Sequence, residues 1–454
     1  MIFSRKKDLV LTSGPLLSTI LRFTIPILIA NVVTTLFSAA DMMVLSWFAE
    51  GNEIASVGAT SSVISLFSQF AIGLCGGVSI VLARLIGQGD AKNSQRMIST
   101  AVIAAAGMGL LLALFGALFS RYALRVMNCP ETCLPDASLY AIIYFLGAPF
   151  LLLNQYASTI LRVSGDSQRP LYYMLISGAS NVLLNTVFCI IMPKKVVAVA
   201  LATLISQAIG AFLALRRLAV CEGICRWDVK NTRFDFGALK KILLYGCPTA
   251  LTTALFPITN VQVQSAINSF GEAAIAGNTA AIQYESIVGT AGGAFQTAAL
   301  TFIGQNLGAR KKDRVYRSFF YCFLSGLVVT STLAISIYIF RSPLLSIFVA
   351  GDAASIAQGA VRMKYVMLFY ILTMNPMASA IQAFGHPTLQ TSINVASVLG
   401  LRTLWMQVFY KMNRTLDMLY LCYPISYIVN FLAYAPIVVV LFIQLKKDKY
   451  SYKI

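Results

Sequence analysis

The feature that most constrains this chain is a succession of uncharged, apolar stretches that follow one another almost end to end. Hydrophobic residues make up 58% and charged residues 11% of its 454 positions, whereas a soluble protein has about 25% charged residues. Soluble domains need a charged surface, so most of this chain must be surrounded by lipid. Because backbone polar groups in lipid must be hydrogen-bonded internally, we expect these stretches to form helices.

Charged residues divide the chain into twelve apolar segments, each long enough for a tilted helix across about 30 Å of hydrocarbon. A basic stretch from Arg216 to Lys241 separates six of them from the other six. We therefore predict an all-α integral membrane protein with twelve transmembrane helices in two six-helix bundles. The predicted division is an N-terminal lobe at 1–219, a cytoplasmic linker at 220–240 and a C-terminal lobe at 241–454. The predicted spans are 23–49, 54–83, 97–120, 137–161, 170–193, 196–215, 242–271, 273–309, 318–340, 365–385, 387–410 and 418–445.

The net charge of +18 reflects the placement of Lys and Arg between the spans. With twelve spans, 25 of the 35 basic residues fall on the side of the two termini and seven on the other side. The positive-inside rule then predicts that both termini are cytoplasmic, in a multi-pass protein of the cell (inner) membrane. A nucleic-acid partner is excluded because no groove-like stretch interleaves basic and aromatic residues.

The two halves of the sequence resemble each other. Ile86-Gly87-Gln88 at the end of the second span has a counterpart in Ile303-Gly304-Gln305 at the end of the eighth, and Pro26 has one in Pro248. Each half holds an even number of spans, so both repeats enter the membrane in the same direction. This predicts a pseudo-two-fold axis along the membrane normal and a cleft between the bundles, which suits alternating access.

Two acidic residues lie well inside apolar spans, Asp41 in the first and Glu285 in the eighth. A charge at mid-bilayer costs about 2.5 to 3.5 kcal/mol on insertion scales, so such a carboxylate usually faces a wet cavity or a partner. Asn31, Thr34, Ser38 and Asp41 share one helix face, because they are three or four residues apart. We expect Asp41 to exchange a proton or a sodium ion; a structural acid bonded to a neighbouring helix is the alternative for both residues.

Oxygen-bearing side chains in the fifth and sixth spans are candidates for the same site. Asn181 and Asn185 are four residues apart, as are Thr203 and Gln207. Carboxamide and hydroxyl oxygens suit a hard cation, and with one carboxylate they would hold a monovalent ion such as sodium. The alternative is hydrogen bonding between helices.

Other polar and aromatic residues are candidates for a substrate-binding surface. In the seventh span Asn260, Gln264 and Asn268 follow one another at four-residue spacing, without an acid. Aromatic and amide side chains provide contacts for a flat cation, although aromatic residues in spans more often face lipid or the core. The full set is Asn31, Thr34, Ser38, Tyr140, Gln155, Gln207, Asn260, Gln264, Tyr284 and Glu285.

The chain has no GxxxxGK[ST] loop, so ATP would have to come from another chain, and an ion gradient is the simplest energy source. The single histidine, His386, lies in a Gly-His-Pro turn. With one histidine and few acid pairs, an integral membrane enzyme is a weak alternative. We predict no catalytic residue, no cofactor, and no metal beyond the possible sodium ion.

In the order and spacing of these features, the chain resembles the multidrug and toxic compound extrusion (MATE) family. The resemblance rests on the two repeats, Pro26 with Asp41, Ile86-Gly87-Gln88 with its second copy, and Asn181. It implies export of amphiphilic, usually cationic compounds in exchange for sodium ions or protons. It also implies that Asp41, Asn181, Asn185 and Thr203 match an N-terminal-lobe cation site.

Two departures from the family pattern affect the ion. Many relatives carry Asp where this chain has Asn185, and sodium-coupled members often have acids in the seventh and tenth spans, which this chain lacks. We therefore expect coupling through Asp41 in a monomer and leave proton against sodium open. A flippase for lipid-linked precursors is the alternative in the same superfamily, with Arg362 and Arg402 as its candidate residues.

Overall fold

The computed structural model describes residues 9–48, 51–127, 129–349, 351–370, 376–448 and 450. Helices joined by short turns make up this part of the chain, and it contains no strand. The all-α class is therefore confirmed. The helices are α1 (Leu16–Phe48), α2 (Gly51–Gln88), α3 (Ala91–Val126), α4 (Leu134–Leu146), α5 (Ala148–Val163), α6 (Gln168–Ile191), α7 (Lys195–Val220), α8 (Phe236–Asn268), α9 (Glu272–Gly308), α10 (Lys312–Ile339), α11 (Arg341–Phe348), α12 (Ala353–Tyr370), α13 (Met377–Ala383), α14 (Pro387–Asn394), α15 (Leu401–Gln407), α16 (Phe409–Met412), α17 (Leu416–Tyr420) and α18 (Cys422–Lys446), with a π-helical segment at Val395–Gly400 between α14 and α15.

Some predicted spans are single helices in the structure, and others are broken into shorter ones. Nine of the described helices are long and apolar enough to cross a membrane, and α4 with α5, which are bent by 43° at their junction, add a tenth if the pair is one span. The span predicted at 365–385 falls on α12 and α13, and part of it lies outside the described residues. The span predicted at 387–410 is divided among α14, the π-helical segment, α15 and the first two residues of α16.

The bend in the fourth span has a local cause. Gly147 ends α4, and Pro149 lies in the first turn of α5. Proline has no N–H to donate and its ring fits the start of a helix, so the hydrogen-bond ladder stops and begins again here. The prediction of one continuous helix at 137–161 is wrong at this point.

The described chain separates into two compact units. The first contains Ile25–Ala250 and the described residues before Thr12, and the second contains Thr12–Thr24 and the described residues from Leu251 onward. Helices α1 and α8 thus each contribute residues to both units. The predicted lobes at 1–219 and 241–454, with the linker 220–240, remain a prediction about the functional division.

Glycines permit close helix crossings within each unit. In the first, a Cβ added at Gly246 of α8 would lie 2.8 Å from the Leu74 carbonyl oxygen of α2. In the second, a Cβ added at Gly277 of α9 would lie 2.6 Å from the backbone nitrogen of Gly359 in α12. Small residues allow membrane helices to approach until their backbones touch. The crossing of α9 and α12 brings the polar residues of both helices together.

Candidate functional site

The first unit brings Asp41 of α1 together with the carboxamides of α6. Asn185 Nδ2 donates to Asp41 Oδ1 at 2.7 Å. Asp41 is half-buried, whereas Asn181 and Asn185 are buried. The four-residue spacing of the two asparagines places both amides on the face of α6 that carries this contact, so the predicted grouping of these three side chains is present.

Nitrogen and oxygen of the Asn181 amide can be assigned in two ways, which give different hydrogen-bond partners. In one, its nitrogen donates to Thr203 Oγ1 and its oxygen accepts from Asn185 Nδ2, both at 3.4 Å. With nitrogen and oxygen exchanged, it donates to both carboxylate oxygens of Asp41, at 3.1 Å for Oδ2. The second orientation suits an ionised Asp41, because the first sets an amide oxygen against the carboxylate. Asn181 is thus a neighbour of Asp41 in either case.

Two buried oxygens of the predicted residues have no hydrogen-bond partner among the described residues. They are Asn185 Oδ1 and Gln207 Oε1. Buried polar atoms are nearly always hydrogen-bonded in folded proteins. Since the Asn185 amide itself contacts Asp41, its free oxygen lies beside the carboxylate, where a cation or a water molecule can satisfy it.

Thr203 completes the oxygen set from α7, which packs against α6. Its hydroxyl donates to the Val199 carbonyl oxygen at 3.0 Å within its own helix. The Oγ1 lone pairs remain free to accept a hydrogen bond or to bind a cation. One carboxylate, carboxamide oxygens and a hydroxyl are the hard ligands that a monovalent cation prefers.

The remaining predicted residues of the first unit have varied surroundings. Thr34 is exposed, and its hydroxyl donates to the Ala30 carbonyl oxygen at 2.9 Å. Tyr140 is buried against Val44 and Leu45, close enough to interact electrostatically with Asp41. Asn31 and Gln155 are half-buried, and the side chain of Ser38 lies outside the described residues.

Most of the predicted residues of the second unit have protein partners. Gln264 accepts from Asn278 Nδ2 at 2.9 Å and donates to Asn268 Oδ1 at 2.9 Å. The Tyr284 hydroxyl donates to the Leu344 carbonyl oxygen at 2.7 Å. Asn260 is exposed.

Glu285 forms an ion pair with Arg362, whose Nη2 lies 2.6 Å from Glu285 Oε2. Arg362 Nη1 also donates to Asn278 Oδ1 at 2.8 Å. Asn278 was not among the predicted residues, and it had no sequence signal beyond its position in an apolar span. This ion pair agrees with the alternative interpretation of Glu285 as a structural acid bonded to a neighbouring helix, with Arg362 as its partner.

Comparison with known structures defines the class of protein. The crystal structure of MATE in complex with MaL6 superposes on this chain with a TM-score of 0.89 at 21% identity, covering 96% of this chain and 98% of the other. A twelve-helix, two-bundle layout is characteristic of these transporters. The chain therefore has the MATE fold.

The family follows from the sequence comparison. The family model MatE matches residues 26–187 and 248–405, so the chain belongs to the MatE family, the MATE transporters. The two matched segments begin at Pro26 and Pro248, the prolines that also mark the internal repeat. Members of this family are multidrug efflux transporters, not enzymes.

Two relatives illustrate the range of named functions. The probable multidrug resistance protein YpnP of Bacillus subtilis is 25% identical over 79% of this chain and 80% of its own length. The FAD transporter of Shewanella oneidensis is 27% identical over 74% of this chain and 75% of its own length. These comparisons do not favour the alternative of a flippase for lipid-linked precursors.

Proposed function

We propose that the protein is an antiporter that exports amphiphilic compounds by alternating access in exchange for an inward-moving proton or sodium ion. Its coupling residue is Asp41. The observation that supports this most is the half-buried Asp41 carboxylate in an apolar helix, hydrogen-bonded to Asn185, whose other amide atom is a buried acceptor without a partner among the described residues. A carboxylate kept at such a position is usually functional.

The chemistry of the group suits a single monovalent ion. Asp41 contributes one negative charge, and Asn181, Asn185 and Thr203 contribute neutral oxygens. A bound proton or sodium ion would therefore leave the group uncharged. An uncharged group crosses the occluded state of the transport cycle at lower electrostatic cost than a bare carboxylate.

The two orientations of the Asn181 amide offer a way to stabilise both loading states. When Asp41 is ionised, the amide nitrogen donates to the carboxylate. When Asp41 is protonated, its O–H donates to the Asn181 oxygen, and the amide nitrogen turns to Thr203. In each state Asp41 keeps a hydrogen bond to the Asn181 amide, so the carboxyl group itself does not carry the cost of an unsatisfied buried group.

For the substrate, the membrane location and the oligomeric state we keep the predictions made from the sequence. We propose amphiphilic, cationic compounds as substrates, with no nucleic-acid partner and no ATP, and a monomer in the inner membrane with both termini in the cytoplasm. The proposed substrate-contacting residues are the predicted set Asn31, Thr34, Ser38, Tyr140, Gln155, Gln207, Asn260, Gln264, Tyr284 and Glu285.

Reconstitution with separately imposed gradients tests the proposal. Purified protein in proteoliposomes is given a sodium gradient, a pH gradient, or neither, and the movement of a fluorescent cation is followed. We expect one gradient to drive transport and Asp41→Asn to abolish it, with insertion and thermal stability retained. Asp228→Asn in a polar loop between α7 and α8 is the matched charge-removing control. Full gradient-driven transport by Asp41→Asn would rule the proposal out.

A further inference from the structure

The second unit contains a buried arginine that has no acidic partner among the described residues. Arg402, the second residue of α15, keeps only 2% of its surface exposed. Its Nε donates to Ser426 Oγ at 3.1 Å. Within the described part of the chain, its two terminal nitrogens make no hydrogen bond and no ion pair. A buried charge is costly unless it is paired, so an anion at the two terminal nitrogens would stabilise this guanidinium.

Two tyrosines of α18 contact the face of this guanidinium. The Arg402 Cζ lies 4.3 Å from the ring centroid of Tyr423 and 5.5 Å from that of Tyr427. The two residues are four apart and so share a helix face. Aromatic rings stabilise a cation through their faces without neutralising it. The rings contact only the face of the guanidinium. Its N–H groups lie in the guanidinium plane, in the forked arrangement that binds an oxyanion.

The nearest acid does not balance this charge. Glu285 is close enough to interact electrostatically with Arg402, but its ion pair is with Arg362 at 2.6 Å. Arg362 also lies over the Tyr423 ring, 4.9 Å from its centroid. The group formed by Glu285, Arg362 and Arg402 therefore carries one uncompensated positive charge.

The backbone that carries Arg402 is unusual and is held in place. The π-helical segment Val395–Gly400 ends two residues before it. Asn430 of α18 donates to Asn394 Oδ1 at 2.7 Å and to Ser397 Oγ at 3.0 Å, at the start of this segment. π-Helical turns are rare and occur frequently at functional sites. The position of Arg402 is thus set by specific contacts.

We propose that Arg402 is an oxyanion-binding residue in the second unit, which takes the carboxylate of an exported aromatic compound. The terminal nitrogens of Arg402 bind the carboxylate, and Tyr423 and Tyr427 hold the guanidinium from its face. This deepens the proposed function, on which it rests for the opening of the site during transport. It adds carboxylate-bearing amphiphiles to the cationic substrates.

A pair of dyes that differ only in the anionic group tests the inference. Rhodamine 110 carries a free benzoate, and rhodamine 123 is its methyl ester. Binding of each dye to the purified full-length protein is measured by fluorescence anisotropy. We expect Arg402→Gln to weaken rhodamine 110 binding by about tenfold to a hundredfold, as for loss of a hydrogen-bonded charged group. Rhodamine 123 binding should change by less than about twofold.

Matched variants show whether a loss of binding comes from lost recognition of the carboxylate, from a change in net charge or from misfolding. Lys364→Gln removes an exposed positive charge from the same unit and should change neither affinity. Arg402→Lys keeps the charge without the fork and should give an intermediate loss. If Arg402→Gln does not fold, the parent protein is used instead. Its thermal unfolding is measured with naphthoate and with naphthamide, and naphthoate should protect it more. Equal losses for both dyes, or equal protection by naphthoate and naphthamide, would overturn the inference.

Competition by phosphate and binding to the Asp41→Asn variant are two further measurements, which separate this inference from the proposed function. Phosphate that competes with rhodamine 110 as well as naphthoate does would overturn the assignment to an aromatic carboxylate. Asp41→Asn should retain rhodamine 110 binding while losing gradient-driven transport. If rhodamine 110 binds through Arg402 but neither a sodium nor a pH gradient drives transport, the proposed antiport is wrong and the carboxylate site is not affected. Gradient-driven transport without discrimination between the dyes would disprove the carboxylate site alone.

Discussion

The side-chain nitrogen of Asn185 lies 2.7 Å from a carboxylate oxygen of Asp41, although 144 residues separate the two in the chain. The contact joins α1 to α6 inside the first unit. It leaves the oxygen of the same amide buried and without a partner in the described structure. Asn185 therefore both stabilises the carboxylate and presents an acceptor next to it.

Removing this amide should change sodium and proton binding in opposite directions. If the ion is sodium, we expect Asn185→Ala to raise its half-saturating concentration about tenfold or more, because the ion loses the Asn185 oxygen; if it is a proton, the half-saturating concentration should fall, because the ionised carboxylate loses a hydrogen bond that contributes about 1.5–3 kcal/mol. The measurement is transport in proteoliposomes across a series of sodium or proton concentrations. Thr186→Ala is the matched control, since among the described residues the Thr186 hydroxyl bonds only to Val182 of its own helix. An Asn185→Ala protein with the parent's ion dependence would contradict the assignment.

Breaking the ion pair of the second unit should destabilise the protein. Glu285→Gln leaves Arg362 buried without its counterion, and the loss of a buried partner costs about 3–5 kcal/mol. The double variant Glu285→Leu with Arg362→Met should recover most of this, because it removes both charges. Unfolding in mixed detergent micelles measures the differences.

The same double variant separates two roles for Glu285. If Glu285 only stabilises the unit, the double variant should fold and still export cationic dyes. If it contacts substrate, as the sequence predicts, export should fall while stability recovers. Glu272→Gln, at the exposed first turn of α9, is the control for loss of an acid from the same helix. A Glu285→Gln variant as stable as the parent would argue against the ion pair.

Two glycines of α9 should respond in opposite directions to the same substitution. Gly277→Ala places a methyl group against the backbone of α12 and should cost about 1–3 kcal/mol, as overpacking does. Gly293→Ala meets no atom within 4 Å, and should be neutral or stabilise by up to about 1 kcal/mol through helix propensity. Thermal unfolding of both variants in detergent is the measurement. Equal stability of the two would show that α9 and α12 are not in close contact at Gly277.

The cap of α3 predicts a pH dependence outside the membrane spans. Asp90 accepts the backbone N–H of Asn93 at 3.0 Å and its side-chain amide at 2.6 Å. These hydrogen bonds lower the pKa of Asp90 below its usual value of 3.8. The cap's contribution is therefore fully present above that value and is lost as the pH falls through the lower folded-state pKa.

Two substitutions at this cap test the sign. Asp90→Ala should lose about 1 kcal/mol at neutral pH, whereas Asp90→Asn keeps a capping oxygen and should lose little. Stability is followed by thermal unfolding from neutral pH to about pH 3. The parent should lose the cap's contribution in acid, and Asp90→Asn should not. A parent stabilised by acid relative to Asp90→Asn would reverse the predicted sign.

Much of the architecture was accessible from the sequence because lipid imposes strict local rules. An apolar run must form a helix whose backbone is internally hydrogen-bonded, and its length sets whether it spans. Asp41, Asn181 and Asn185 could be selected in the same way, since polar groups in such runs are rare and four-residue spacing defines a face. The repeat was visible in Ile86-Gly87-Gln88 and its second copy.

Local interruptions were harder to predict. The break after Gly147 and the π-helical segment before Arg402 depend on a few backbone hydrogen bonds whose loss the apolar pattern does not reveal. Hydropathy averages over some twenty residues, as a span requires. A bend that moves no residue out of the apolar run therefore leaves the pattern unchanged.

The sequence by itself determined that the chain is a helical membrane protein with two repeats and a rare acid in its first span, because these follow from composition and spacing. Only the tertiary structure decided that Asp41 bonds to Asn185, that Glu285 is paired with Arg362, and that Arg402 lies buried against Tyr423 without an acidic partner in the described chain. Which charges neutralise one another depends on distances of a few ångströms between helices far apart in the chain, and Coulomb energy in a low-dielectric interior changes steeply over such distances.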